Sequence, residues 1–280
     1  VLVNSNGVEL GDECGSYHIV SSYVAKDGEE TTSFGPGIYQ KMLDPDVDYM
    51  ELPQNRAELQ RALDLLYPTS FGEKLVGTVV ATPTFASQVL RQVVVNALTD
   101  MPVTSGTSRL LGKIGERVAA LDLTLAFEPG SRDIVLGEVF TADGYPAKDT
   151  EVIKDGVLNE YMLTQHGAAK SGLPLRANSG GAMCVRPGTV PLKQMIEGID
   201  RGVFLGRYSG TEPDVSGDLS GVAKNSFLIE GGKVTRPLVG TMVSANIFDM
   251  IQNISAISSD VRKDGASVMP YIAFSGVTIK

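Results

Sequence analysis

Between Arg176 and Lys233 the chain is punctuated by glycine. The run reads RANSGGAMCVRPG, then GVFLGRYSG, then DVSGDLSGVAKNSFLIEGGKV, with Ser, Asn and Asp concentrated at the breaks. Residues that tolerate positive φ or bond their own backbone mark turns, so this pattern demands short strands joined tightly. It leaves no room for a long helix and carries no zinc-finger spacing, phosphate loop or nucleophile elbow.

The rest of the chain extends that reading. Tyr17 to Val24 and Glu29 to Phe34 are strand-like, and the Asp27-Gly28 pair between them signals a hairpin. Phe34-Gly35-Pro36-Gly37 breaks it, and a Pro- and Asp-rich connection runs to Leu52. Pro53 opens a helix to about Leu66, with Ala57, Leu59, Ala62, Leu63, Leu65 and Leu66 as its apolar face. Leu75 to Ala81 (LVGTVVA) reads as a buried strand. Thr82-Pro83 starts a helix to about Leu98, with Thr82 as N-cap and Phe85, Val89, Leu90, Val93, Val94 and Ala97 buried.

From Glu116 onward strands dominate. LDLTLAF (121–127) alternates, and residues 138–163 hold the turns Asp143-Gly144 and Asp155-Gly156. Short helices are predicted over Thr164 to Lys170, Pro191 to Ile199 (with Gly202 as its stop) and Asn246 to Ile254. A hairpin is predicted over Phe227 to Val239, and a closing strand over Val268 to Ile279. The fold class is α+β, strand-rich, with mainly antiparallel sheets, because so many connections are too short for crossovers.

Net charge is −9, with a pI of about 4.8, so the chain repels a phosphate backbone. Direct nucleic-acid binding is not expected. RLLGKIGER (109–117) holds three basic residues among apolar ones, too few for a nucleic-acid patch. No apolar run approaches 20 residues and no secretory leader is visible, so no membrane contact is expected and the location reads as cytoplasmic. Cys14 and Cys184 read as two free thiols rather than one long-range disulfide.

Several segments together resemble the TldD/PmbA family, once called modulators of DNA gyrase. They are DTEVIKDGVLNEYMLTQHGAAKSGLPLRANSGGA, VSGDLSGVAKNSFLIEGGKVTRPLVG and MVSANIFDMIQNISAISSDV. Order and spacing agree from about Gly72 to the end. The resemblance divides the chain into a leading β hairpin and connection (1–52) and a C-terminal-type domain (53–280). It also implies an N-terminal α/β domain that these residues do not include, in keeping with Val1 standing where an initiator Met would.

Active members of that family carry His-Glu-x-x-x-His on a helix after a short apolar strand. Two imidazoles hold zinc, the Glu takes a proton from metal-bound water, and a C-terminal Cys completes the site. In this sequence Arg91 stands at the first His position, Gln92 at the Glu and Asn96 at the second His. Arg stays protonated and cannot ligate, Gln is no general base, and a neutral amide is a poor zinc ligand. No His or Glu occurs from Lys74 to Lys113, and no Cys follows Cys184. No catalytic residue, metal or cofactor is therefore expected.

Among the remaining residues, His18 and His166 read as surface or capping residues, and Cys184 as a buried thiol. Ser179-Gly180-Gly181 offers backbone N–H groups to an anion, or else a tight turn close to another backbone. Asn178, Gly180 and Gly181 are the candidates for peptide contact, since the resemblance implies strand-edge pairing with an extended substrate. The resemblance points to a PmbA/TldE-like, non-catalytic subunit that partners a TldD-like zinc peptidase acting on unfolded peptides and small proteins. The alternative is a stand-alone homodimeric peptide-binding or scaffold protein. A hydrolase with an unrecognised site is the third reading.

Overall fold

A computed structural model of the chain describes residues 1–20, 23–34, 37–42, 44–49, 51, 53–120 and 122–280. The fold is α+β and strand-rich, as the turn pattern requires. Its N-terminal part holds β1 (Leu2–Val3) and β2 (Glu9–Leu10), which pair antiparallel, then β3 (Tyr17–Val20), β4 (Tyr23–Asp27), β5 (Glu30–Phe34) and β6 (Gly37–Gln40). β4 pairs with β5 and β3 with β6, giving one nested hairpin. Its loop is Gly28-Glu29, one step later than the Asp-Gly pair suggests, and Gly28 takes φ 59°. The predicted strand Tyr17 to Val24 crosses Ser21 and Ser22, which lie outside the described residues. So do Gly35, Pro36, Leu43, Met50 and Leu52 in the predicted break and connection.

Helix α1 (Pro53–Asp64) packs on β4 and β5. Only part of its predicted apolar face is covered: Ala62 and Leu66 are buried, whereas Leu59 and Leu63 stay exposed. The hairpin's base is fixed to the body by Tyr39 N–H, which donates to the Asp264 carbonyl at 2.8 Å.

The body is a 13-stranded sheet. Its strands and helices follow in the order β7 (Leu75–Ala81), α2 (Pro83–Ala97), α3 (Asp100–Thr104), β8 (Leu125–Phe127), β9 (Thr150–Lys154), β10 (Val157–Leu158) and α4 (Gln165–Ser171). Next come β11 (Met183–Val185), α5 (Leu192–Glu197), β12 (Arg201–Leu205), β13 (Arg207–Thr211), β14 (Asp218–Lys224) and β15 (Ser226–Glu230). The last elements are β16 (Lys233–Leu238), β17 (Met242–Asn246), α6 (Ile247–Gln252), β18 (Ile254–Lys263) and β19 (Ser267–Ile279).

Strand β19 is the hub. It pairs antiparallel with β7, β17 and β18 and parallel with β11, while β7 pairs parallel with β12. Two parallel pairs thus sit in a sheet that is otherwise antiparallel. The C-terminal half of β7, Val79, Val80 and Ala81, is buried on both faces, which explains its unbroken apolar end, whereas Val76 nearer its start is exposed. Val79 and Ala81 join the main core beneath α2; Val80, facing the other way, joins a second core with Phe204, Phe227 and Met195.

Helix α2 buries Phe85, Val89, Leu90, Val93, Val94 and Ala97 as its 3.6-residue periodicity demands. Each large apolar side chain so buried stabilises the fold by about 1.5–3 kcal/mol. Thr82 occupies the N-cap position, but its hydroxyl does not cap; it donates to the Gly206 carbonyl at 2.7 Å and stitches α2 to the end of β12.

Other boundaries differ for physical reasons. α5 ends at Gly198, and Gly202 lies inside β12, where it pairs with Ile229 and Thr78. LDLTLAF contributes only Leu125–Phe127 as strand, and Leu121 lies outside the described residues. The helix predicted to Ile254 stops at Gln252, because Ile254 begins the long strand β18. On β13 and β14, Gly210 and Gly221 face each other so closely that a Cβ on either would sit 2.6 Å from the other's Cα. There the glycines of the opening motif serve close backbone approach rather than a turn.

Candidate functional site

A pocket of about 300 Å³ opens where the C-terminal half of α2 meets the β8–β11 end of the sheet. Arg91, Val94 and Val95 line it from α2; Thr99, Asp100 and Met101 line it from the start of α3. Phe127 of β8, Met183 of β11 and Met162 form apolar walls, and Asn178, Ser179 and Gly180 close one side. The chain therefore brings Arg91 together with Asn178 and Gly180, three positions proposed separately from sequence. Gly181 does not line the pocket.

The Asn178 loop is a built turn. Asn178 is buried, and its amide donates to the carbonyls of Phe127 at 3.2 Å and Lys148 at 2.8 Å. Its Oδ1 accepts from Gly180 N–H at 2.9 Å, while Ser179 N–H donates to Glu138 Oε1 at 2.6 Å. Those two N–H groups are already used, so they do not form the anion cradle that the Ser-Gly-Gly spacing allowed. The loop is also not held by backbone crowding: a Cβ at Gly180 or Gly181 would meet nothing within 4 Å, and Gly180 is required for its φ of 78°.

The three motif positions divide between two faces of α2. Arg91 is exposed beside the pocket and makes no ion pair with any described residue. Gln92 and Asn96, four residues apart, share the other face. Asn96 Nδ2 donates to Gln92 Oε1 at 3.1 Å and to the Pro213 carbonyl at 2.9 Å, so it ties the β13–β14 connection to the helix.

The pocket's one carboxylate is committed elsewhere. Asp100 accepts from Thr164 N–H at 2.9 Å and from the Thr164 hydroxyl, locking α3 to the start of α4. A Cβ at Gly167 would overlap the Asp100 carboxylate, so Gly167 is the residue that lets the two helices meet. Asp100, Met101, Met162 and Thr164 escaped the sequence reading. Their only local signal was the Thr99-Asp100 pair, an N-cap followed by an acid in a first helical turn.

These residues do not fit a zinc ion. Arg91 is a permanent cation, Asp100 is engaged, and among the described residues no three His, Cys, Asp or Glu side chains converge. His166 is exposed on α4, and His18 stacks on its cross-strand partner Tyr39 with ring centroids 4.2 Å apart. Cys184 is buried beside Ile134 and Ala182, and its Sγ–H donates to the Ala182 carbonyl at 3.5 Å. Burial, and then the nearby Glu128 carboxylate, push its thiol up to about 12, so it is neither a thiolate ligand nor a nucleophile at neutral pH. RLLGKIGER packs as an irregular loop: Arg109 donates to Ser216 O and Asn246 Oδ1 and lies 5.0 Å over the Phe248 ring. No helix among the described residues is long and apolar enough to cross a membrane.

Comparison with known proteins matches this architecture. Residues 75–280 match the family model for the PmbA/TldA metallopeptidase C-terminal domain. The Escherichia coli O157:H7 metalloprotease PmbA is 24% identical over 99% of this chain and 62% of its own length. A metalloprotease of Methanothermobacter thermautotrophicus is 27% identical over 57% of this chain and 38% of its own. Relatives named TldD homologs align with 56–57% of the chain, against 93–99% for two PmbA-named ones. TldE from Thermococcus kodakarensis superposes with a TM-score of 0.80 over 99% of this chain and 65% of that one, at 20% identity, and so shares the fold. The chain spans less than two thirds of the length of these curated relatives. On the family model and the fold together, this chain belongs to the PmbA/TldD family.

Proposed function

We propose that this chain is the C-terminal part of a PmbA/TldE-like subunit that does not itself catalyse hydrolysis. It would partner a TldD-like zinc peptidase and help to shape the chamber in which unfolded peptides and small proteins are cut. The observation that carries the reading is α2: the helix follows the buried strand β7 as in the family's motif, yet presents Arg91, Gln92 and Asn96. Alignment over nearly the whole chain with PmbA-named relatives, and over little more than half with TldD-named ones, supports the same assignment. The helix keeps packing and peptide handling while its ligand and base positions carry groups that cannot perform those roles.

Co-expression with a TldD-like zinc peptidase tests this. A stable heteromeric complex should co-purify, with zinc in the partner alone. A chain that forms only homodimers while the peptidase is fully active without it would favour the scaffold reading instead.

A further inference from the structure

We infer that the pocket between α2 and the Asn178 loop holds the C-terminal residue of a peptide, its side chain among the apolar walls and its carboxylate on Arg91. This specifies, and rests on, the peptide-handling reading above.

Three observations carry it. The pocket's volume of about 300 Å³ is at the small end of ligand sites, suited to one terminal residue rather than a long segment. Val94, Val95, Phe127, Met162 and Met183 make its walls apolar, and methionine adapts to side chains of different shape. Arg91 is the one cation lining it, exposed at its side and without an ion pair among the described residues, on a chain with net charge −9. Asp100, the one carboxylate lining the pocket, does not pair with Arg91: both its oxygens accept from Thr164. A guanidinium fork binds a carboxylate through two parallel hydrogen bonds, which an amide cannot reproduce.

The test uses three fluorescein-labelled hexapeptides on the 280-residue chain. One ends in Leu-Phe with a free carboxylate, the second is its carboxamide, and the third is a carboxamide with Glu as the last residue. Fluorescence anisotropy should show the free acid binding about tenfold or more tightly than either carboxamide. Arg91→Met should erase that preference, Arg91→Lys should retain part of it, and Val95→Phe should weaken the free acid by filling the pocket. Unchanged unfolding midpoints establish that these exposed substitutions leave the fold intact. Equal binding of acid and carboxamide, a preference that survives Arg91→Met, a Glu carboxamide as tight as the free acid, or no binding at all would each overturn the proposal. Co-purification with the zinc peptidase is scored separately: its failure sinks the subunit assignment and leaves a terminal-carboxylate preference standing.

Discussion

Asn96 is hydrogen-bonded to Pro213. Its amide reaches the Pro213 carbonyl at 2.9 Å and holds the β13–β14 connection against α2, so the side chain at this position fastens a loop. Asn96→Ala should cost about 1 kcal/mol, the worth of one part-buried hydrogen bond, and lower Tm by a few degrees. Calorimetry checks the stability, and hydrogen exchange around residues 211–217 should show earlier opening.

Writing the motif back should not rebuild the site. Arg91→His, Gln92→Glu and Asn96→His together restore the two imidazoles and the Glu at the family's spacing but not its C-terminal Cys ligand, since no Cys follows Cys184. Metal analysis of the triple variant is expected to show no stoichiometric zinc. A full equivalent retained through gel filtration would mean that another ligand lies within reach.

Asp100 and Gly167 make a second contact that can be probed. Gly167→Ala should destabilise the protein by roughly 2 kcal/mol or more, because the new methyl overlaps a carboxylate already held by Thr164. Asp100→Ala removes the obstacle along with the Thr164 bonds. The two substitutions should therefore combine to less than the sum of their separate costs in a double-mutant cycle.

Cys184 gives a pH-dependent prediction with a fixed sign. Its folded thiol is raised to about 12 from an ordinary value of 9.0, so the folded state favours the neutral form. The stability this contributes is complete below about pH 9 and is lost as pH rises towards 12. Unfolding midpoints of the parent should fall more steeply with alkaline pH than those of Cys184→Ala. At pH 8, Cys14, which is exposed, should react with a thiol reagent while Cys184 reacts only on unfolding.

The sequence made some of this legible and hid the rest for identifiable reasons. α2 and β7 were readable because each carries its own period, 3.6 residues on one and a short apolar run on the other. β18 was hidden: SAISSDVRK is polar and lacks alternation, and only its pairing along the length of β19 makes it a strand. The apolar face predicted for α1 overstated its burial: Ala62 and Leu66 are buried, but Leu59 and Leu63 stay in solvent. At the site, Arg91 and Asn178 were each singled out for separate reasons, and only the fold puts them in one pocket. Asp100 and Thr164 are 64 residues apart, a pairing no local pattern encodes.

Casein hydrolysis separates a chain that serves peptide cleavage from one that carries it out. It should be followed with the chain alone, with a TldD-like zinc peptidase alone, and with the co-purified pair. The chain alone should be inactive and the pair active, with that activity abolished by replacing the Glu of the partner's His-Glu-x-x-x-His and unaffected by Gln92→Ala in this chain. Zinc-dependent hydrolysis by the chain alone, lost on Gln92→Ala, would show that this chain is itself the peptidase.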